Sequence, residues 1–278
     1  MPTLPFHQVD VFSAVPFKGN PLAVVAEADG LDDATMRAIA NWTNLSETTF
    51  LLRPQDPSAD YRVRIFTPQR ELPFAGHPTL GSCNVWLALG GRPKSEHVVQ
   101  ECGAGLVRIK RDGERLAFAA PPLRRSGAVD AELTTKIAAA LGIKSDTMRA
   151  VQWIDNGPGW IGVLLESRPE LLDIRFNPLA LSQQPVGVVA PWDPARDGRG
   201  ADYEVRAFTW SGTEDPVTGS LNASLAQWLI GAGIAPRQYV ASQGTVLGRA
   251  GRVHVGQDGE TIWIGGDVAP VVKGTISL

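Results

Sequence analysis

Cysteine is scarce in this 278-residue chain, with only Cys83 and Cys102. Two thiols in so long a sequence make no disulfide framework, and both read as buried, reduced groups. Long apolar runs are missing too. No stretch approaches the ~18 apolar residues of a membrane span, and the first 14 residues lack a basic segment followed by an apolar core. The expectation is a cytoplasmic protein with no membrane partner. Basic clusters are absent as well: the net charge is −3, and the densest cationic stretch is Arg108-Ile109-Lys110-Arg111. That argues against nucleic acid as a partner. No HExxH or other metal-ligand spacing occurs, no GxGxxG after a strand, no Walker loop and no GxSxG elbow. Chemistry without metal, nucleotide or flavin is expected, so the cofactor expectation is none.

What the chain does contain is ordinary folding material. Hydrophobic residues make up 44% and charged residues 20%, with 29 glycines and 21 prolines to punctuate short elements. At about 150 residues per domain, two domains are expected, each able to bury a core.

One phrase occurs twice. Tyr61-Arg62-Val63-Arg64-Ile65-Phe66-Thr67 returns as Tyr203-Glu204-Val205-Arg206-Ala207-Phe208-Thr209, identical at five of seven places and 142 positions on (203 − 61). At the same spacing Ser82 meets Ser224, Trp86 meets Trp228 and Gly91 meets Gly233. A repeat this long is a duplicated domain and not a solenoid, and two similar domains facing each other leave a cleft suited to a small molecule.

Alternating or β-rich runs at His7–Phe12, Leu22–Ala26, Thr48–Leu52, Tyr61–Phe66, Val98–Cys102, Leu106–Lys110 and Leu116–Phe118 predict strands. Helices are predicted at Asp32–Asn41, amphipathic and capped, and at Pro78–Leu89, which has little polar surface and should be buried. The order recurs after Pro121-Pro122: a helix near Ala131–Leu141, strands near Val151, Trp160–Leu165, Val186–Ala190 and Val205–Phe208, then a helix over Val217–Gly231. The fold class this implies is α+β: two pseudo-twofold-related domains, each a mostly antiparallel sheet or barrel wrapped around a central helix. The boundaries are 1–122 for the first domain, completed by the last strand at about 268–278, and 123–267 for the second. The linker falls near Pro121–Gly127.

Three polar residues stand in apolar surroundings. Glu47, within Asn44-Leu45-Ser46-Glu47-Thr48-Thr49-Phe50, is a candidate acid/base whose pKa would rise if it were buried; a solvated or paired surface carboxylate is the alternative. His77, in Gly76-His77-Pro78, lies at a helix entry where the dipole disfavours the cation. It is either a proton shuttle or a helix-entry residue bonded to a carbonyl. Asp215, before Pro216-Val217-Thr218-Gly219-Ser220, is either an N-cap or a group aimed at substrate, and the Thr-Gly-Ser turn offers amides and hydroxyls for a carboxylate. Counted back 142 positions, Gly219 falls on His77 and Thr218 on Gly76, so the two polar turns should mark equivalent helix tips facing one cleft. His7, His97 and His254 read as strand-surface residues.

These residues also carry a resemblance. Asp10-Val11-Phe12 through Gly19-Asn20-Pro21, Asn44-Leu45-Ser46-Glu47-Thr48-Thr49-Phe50, Phe66-Thr67-Pro68 through Gly76-His77-Pro78, Asp215-Pro216-Val217-Thr218-Gly219-Ser220, and Ser242-Gln243-Gly244 with Gly248-Arg249 resemble the phenazine-biosynthesis PhzF-like family of isomerases and epimerases over the whole length. The resemblance implies a diaminopimelate-epimerase-like fold, a homodimer and no cofactor. It further implies that Glu47 is the principal acid/base, that His77 and Asp215 flank the site as catalytic groups, and that Ser46, Gly76, Gly219 and Ser220 hold the ligand. It does not fix the substrate: Leu221-Asn222-Ala223-Ser224 departs from many relatives, and Trp153, Trp160 and Trp192 could reshape the pocket.

The functional expectation is a cofactor-independent isomerase moving a proton on a small carboxylated substrate, cyclic or dihydroaromatic acids included. Two alternatives stand beside it. One is a two-base racemase or epimerase of an amino or hydroxy acid, against which Cys83 and Cys102 fall by count on Leu225 and Gly244. The other is a non-catalytic small-molecule-binding protein. Glu47 itself falls by count on Val189, which favours one dominant base.

Overall fold

A computed structural model describes residues 3–181 and 183–278. The chain forms two compact units, Met1–Ala119 with Gly265–Leu278, and Ala120–Ile264. In chain order the first unit begins β1 (Thr3–Val11), β2 (Asn20–Val25), α1 (Asp33–Thr43), β3 (Thr48–Leu52), β4 (Tyr61–Phe66) and β5 (Glu71–Leu72). It continues α2 (Gly76–Ala88), β6 (Val98–Cys102), β7 (Gly105–Asp112) and β8 (Arg115–Ala119). The second unit runs β9 (Arg125–Ala128), α3 (Ala131–Leu141), β10 (Met148–Asp155), β11 (Ile161–Leu165), α4 (Arg168–Asp173), β12 (Val186–Pro191) and α5 (Pro194–Asp197). After β13 (Tyr203–Phe208), β14 (Glu214–Asp215), α6 (Gly219–Gly231), β15 (Gln238–Gln243) and β16 (Gly251–Asp258), strand β17 (Thr261–Gly266) carries the chain back to the first unit, which ends with β18 (Val268–Ser277).

Strand pairing follows one plan twice. In the first unit the order is β18-β1-β2-β3-β4-β6-β7, with β2–β3 and β4–β6 parallel and the other pairs antiparallel. In the second it is β9-β10-β11-β12-β13-β15-β16, with β11–β12 and β13–β15 parallel at the same two places. The last strand of the chain thus fills in one unit the place that β9 fills in the other. Each parallel pair is joined by a segment containing a helix, as parallel strands require.

Each unit has one apolar helix of 13 residues, α2 or α6, with nine of those residues buried. Neither has a polar face, so both must be enclosed by sheet. The fit is close. A Cβ on Gly81 of α2 would meet Leu22 Cδ2 at 2.5 Å, and one on Gly187 of β12 would meet Leu221 Cδ1 of α6 at 2.2 Å. In the first unit the helix supplies the glycine, in the second the strand does. The α1 helix is amphipathic as predicted: Asp32 caps it by accepting the Thr35 amide at 2.8 Å, and Met36, Ile39 and Ala40 pack with Val25, Phe50 and Phe66.

The repeated phrase is explained by its arginine. Arg64 clasps Glu71 with Nε and Nη2, both at 2.7 Å, and Arg206 clasps Glu214 the same way at 2.9 and 2.8 Å. Each guanidinium also lies 5.0 Å from the ring two residues on, Phe66 or Phe208. Bidentate pairing fixes both the β4–β5 and the β13–β14 hairpin.

Three expectations need correction. The amide of Thr67 bonds the carbonyl of Arg70, whereas that of Thr209 bonds Thr213, so the second hairpin is one residue longer. The helices therefore start 143 apart (219 − 76), and Gly219 matches Gly76, with Ser220 opposite His77. The predicted linker is partly strand, since Arg125–Ala128 pairs with β10. His7 is buried on β1 and not on its surface; burial first, and then nearby Lys273, lower its pKa. Among the described residues no helix is long and apolar enough to cross a membrane.

Candidate active site

In the first unit, α1 ends on Asn44 in the left-handed region (φ 53°), and the chain turns through Leu45 and Ser46 so that Glu47 immediately precedes β3. Ser46 is exposed, while the Glu47 side chain is 15% exposed. His77 is the second residue of α2, and its Nε2 lies 3.4 Å from Glu47 Oε2. Gly76, beside it, is buried. The other ring nitrogen faces Asn20, with Nδ2 to Nδ1 at 3.4 Å.

Asn20 opens β2 and is held rigidly. The preceding Gly19 donates its amide to Asp10 Oδ2 at 2.9 Å, and a Cβ on Gly19 would stand 2.2 Å from the carbonyl oxygen of Val11. Only glycine fits this turn.

Burial alone lowers the His77 pKa to about 3, so the imidazole is neutral at working pH. Asn20 Nδ2 can only donate, so Nδ1 accepts and the ring proton sits on Nε2, the nitrogen nearer Glu47. The contact is a close approach of a neutral imidazole to the Glu47 side chain and not an ion pair. A buried relay also ties α2 to its sheet. Tyr61 Oη donates to Gln100 Oε1 at 2.9 Å, Gln100 Nε2 to Thr79 Oγ1 at 3.0 Å, and Thr79 Oγ1 to the carbonyl of Ala75 at 2.9 Å.

In the second unit, Asp215 ends β14 and Thr218 is the N-cap of α6. The Thr218 hydroxyl does not cap the helix: it donates to Asp215 Oδ2 at 2.5 Å and accepts from Gln243 Nε2 at 3.0 Å. Fully buried Gln243 also accepts the Thr218 amide at 3.0 Å and Asn222 Nδ2 at 2.9 Å, and donates to the carbonyl of Asp215 at 3.1 Å. The Asp215–Ser220 turn is therefore fixed before any ligand arrives. Ser220 Oγ accepts from Trp160 Nε1 at 3.1 Å, and its carbonyl accepts from Asn156 Nδ2 at 3.0 Å.

The structure thus brings Glu47 and His77 together with Gly76 beside them, and gathers Asp215, Gly219 and Ser220 in one turn. Asn20, Gln243 and Asn156 had no role in the sequence reading. The first two lay inside quoted motifs, and their chemistry appears only once their partners are known. Of the three tryptophans, Trp160 touches the α6 turn. Trp192 instead bonds buried Glu204 at 3.2 Å, and Trp153 lies in the core beneath Arg125. Cys83 is fully buried within α2, where burial pushes its thiol up to about 12, and burial raises Cys102 as well. Neither is a ready thiolate base. Among the described residues no three His, Cys, Asp or Glu side chains form a metal-holding group.

A family model described as phenazine biosynthesis-like protein matches residues 9–274. The chain is 35% identical over 292 residues to antisense-enhancing sequence 1 of Schizosaccharomyces pombe, with 97% of each covered. It is 34% identical to the trans-2,3-dihydro-3-hydroxyanthranilate isomerase of Pseudomonas aeruginosa, covering 90% of this chain and 89% of that one. A PhzF-family protein of Enterococcus faecalis superimposes with a TM-score of 0.82 at 27% identity over 100% of both chains. The α+β, epimerase-like architecture implied by the motifs is the one found. On these matches the chain belongs to the phenazine biosynthesis-like, PhzF-type family of isomerases.

Proposed function

We propose that the protein moves a proton between two carbons of a small carboxylated, cyclic or dihydroaromatic substrate, without metal or organic cofactor, with Glu47 as the carrier. The observation that supports this is the approach of neutral, buried His77 to Glu47, with Nε2 3.4 Å from Oε2. The ionised carboxylate is the form that can remove a proton.

In the first step the Glu47 carboxylate takes a C–H proton and the electron pair spreads into the substrate's unsaturated system. In the second, the carboxylic acid, having exchanged its proton with solvent, delivers a proton to another carbon on the same face, and Glu47 is again a carboxylate. Atoms and charge balance with no external oxidant or reductant. The reading assigns the substrate's carboxylate to the amides of Gly219 and Ser220, because a helix N-terminus favours an anion. Ser46 and Gly76 are proposed as further ligand-holding residues, and Asp215 as a flanking group.

The name of the Pseudomonas aeruginosa relative makes trans-2,3-dihydro-3-hydroxyanthranilate the first substrate to try. With it, or with the best turnover substrate from a panel of amino, hydroxy and dihydroaromatic acids, Glu47→Gln is expected to lower kcat by about 10²–10⁴. Substrate affinity should change little. A variant with wild-type kcat would remove Glu47 from the mechanism.

A further inference from the structure

Two groups able to take a proton stand side by side in the first unit. One is the Glu47 carboxylate; the other is the neutral His77 ring, whose Nε2 lies 3.4 Å from Glu47 Oε2. A neutral imidazole is a base only through its bare nitrogen. In this site the bare nitrogen is Nδ1, and Asn20 Nδ2 covers it at 3.4 Å. The nitrogen on the Glu47 side, Nε2, therefore carries the ring proton and has no lone pair to offer.

The covering amide is built into the fold. Asn20 and His77 are both buried, Asn20 completely. Asn20 pairs with Val11 of β1, next to the Gly19 amide that Asp10 anchors. The second unit supplies a comparison. Thr48 pairs with Phe66 and Val186 with Phe208, so Thr48 and Val186 are equivalent, and so are their parallel partners Ala23 and Ile161. Three positions before these stand Asn20 (23 − 3) and Pro158 (161 − 3). Where α6 carries Ser220 in place of His77, the matching position has no amide side chain. The amide occurs in the unit that has a ring to orient.

We infer that Asn20 is a positioning residue: by holding the His77 proton on Nε2 it prevents the imidazole from acting as a base and leaves proton removal to Glu47. This rests on the role of Glu47 proposed above.

Nitrogen NMR of protein with labelled histidines, His77 being assigned by its loss in His77→Gln, reads the tautomer directly. The wild type should show a bare Nδ1 and a protonated Nε2 near neutral pH. A protonated Nδ1, a result that needs no variant of Asn20, would overturn the inference. Asn20→Asp keeps the shape but can only accept, so it should draw the proton to Nδ1 and leave Nε2 bare. An aspartate on Nδ1–H with Nε2 bare is the arrangement of a histidine general base. With trans-2,3-dihydro-3-hydroxyanthranilate as the probe in deuterium oxide, proton exchange by Asn20→Asp/Glu47→Gln should therefore exceed that by Glu47→Gln alone about tenfold or more. No gain once Nε2 is bare would overturn the inference as well. Full exchange by Glu47→Gln alone would count against the Glu47 reading, whereas the tautomer is measured without turnover, so the two are read apart.

Discussion

His77 acts through its neutrality. Its pKa of about 3 in the fold, against 6.5 in a free side chain, follows from complete burial, and its single proton is oriented by Asn20. The linkage has a definite sign. Above pH 6.5 the ring is neutral in both folded and unfolded chains; as pH falls from 6.5 towards 3, the unfolded chain binds a proton that the folded one refuses, so stability is lost. Urea unfolding between about pH 4 and 7 should therefore show His77→Gln taking up roughly one proton fewer on unfolding than wild type. Equal pH slopes would mean that the ring is not held neutral. Sequence reading identified Glu47 and His77 as candidates but could not join them. They are 30 positions apart (77 − 47), and only the crossing of β3 with the entry of α2 brings their side chains within reach. Asn156 was invisible because only the fold sets its Nδ2 against the carbonyl of Ser220, 64 positions on.

The arginines of the repeated phrase share a clasp and differ in their second partner. Arg64 Nη1 reaches Asp33 in the first turn of α1, on the surface, whereas Arg206 Nη1 donates to the carbonyls of Leu171 and Ile174 at the end of α4. Its side chain is 5% exposed, against 17% for Arg64. Arg206→Ala leaves Glu214 and two carbonyls without their donor and should cost about 3 kcal/mol or more, while Arg64→Ala should cost about 1 kcal/mol. Chemical denaturation of the two variants distinguishes these values; equal losses would contradict the burial argument. The pattern of β-branched and apolar residues was sufficient to place β3, β4, β6 and α3 at their observed ends. It failed where the signal was short or irregular. Arg125-Ser126-Gly127-Ala128 has no strand composition yet pairs with β10, and one extra residue in the Thr209–Thr213 turn shifted the alignment of the helices from 142 to 143.

Two units with the same strand order and the same parallel pairs carry different chemistry. Thr48 of β3 pairs with Phe66, and Val186 of β12 with Phe208, so Thr48 and Val186 are equivalent and the residue matching Glu47 is Pro185. The count of 142 had pointed to Val189; either way no second carboxylate exists at that place. Pro185 cannot carry a proton, and both thiols are buried and raised, so the duplication supplies neither a counterpart to Glu47 nor a thiol pair. This asymmetry favours proton shuttling by one group over exchange between two. Its direct test is deuterium incorporation, followed by NMR, into a carboxylated dihydroaromatic substrate turned over in deuterium oxide by wild type and by Glu47→Gln. The account predicts deuterium at the carbon that receives the proton with wild type and none with the variant. Incorporation by Glu47→Gln at the wild-type rate would contradict it.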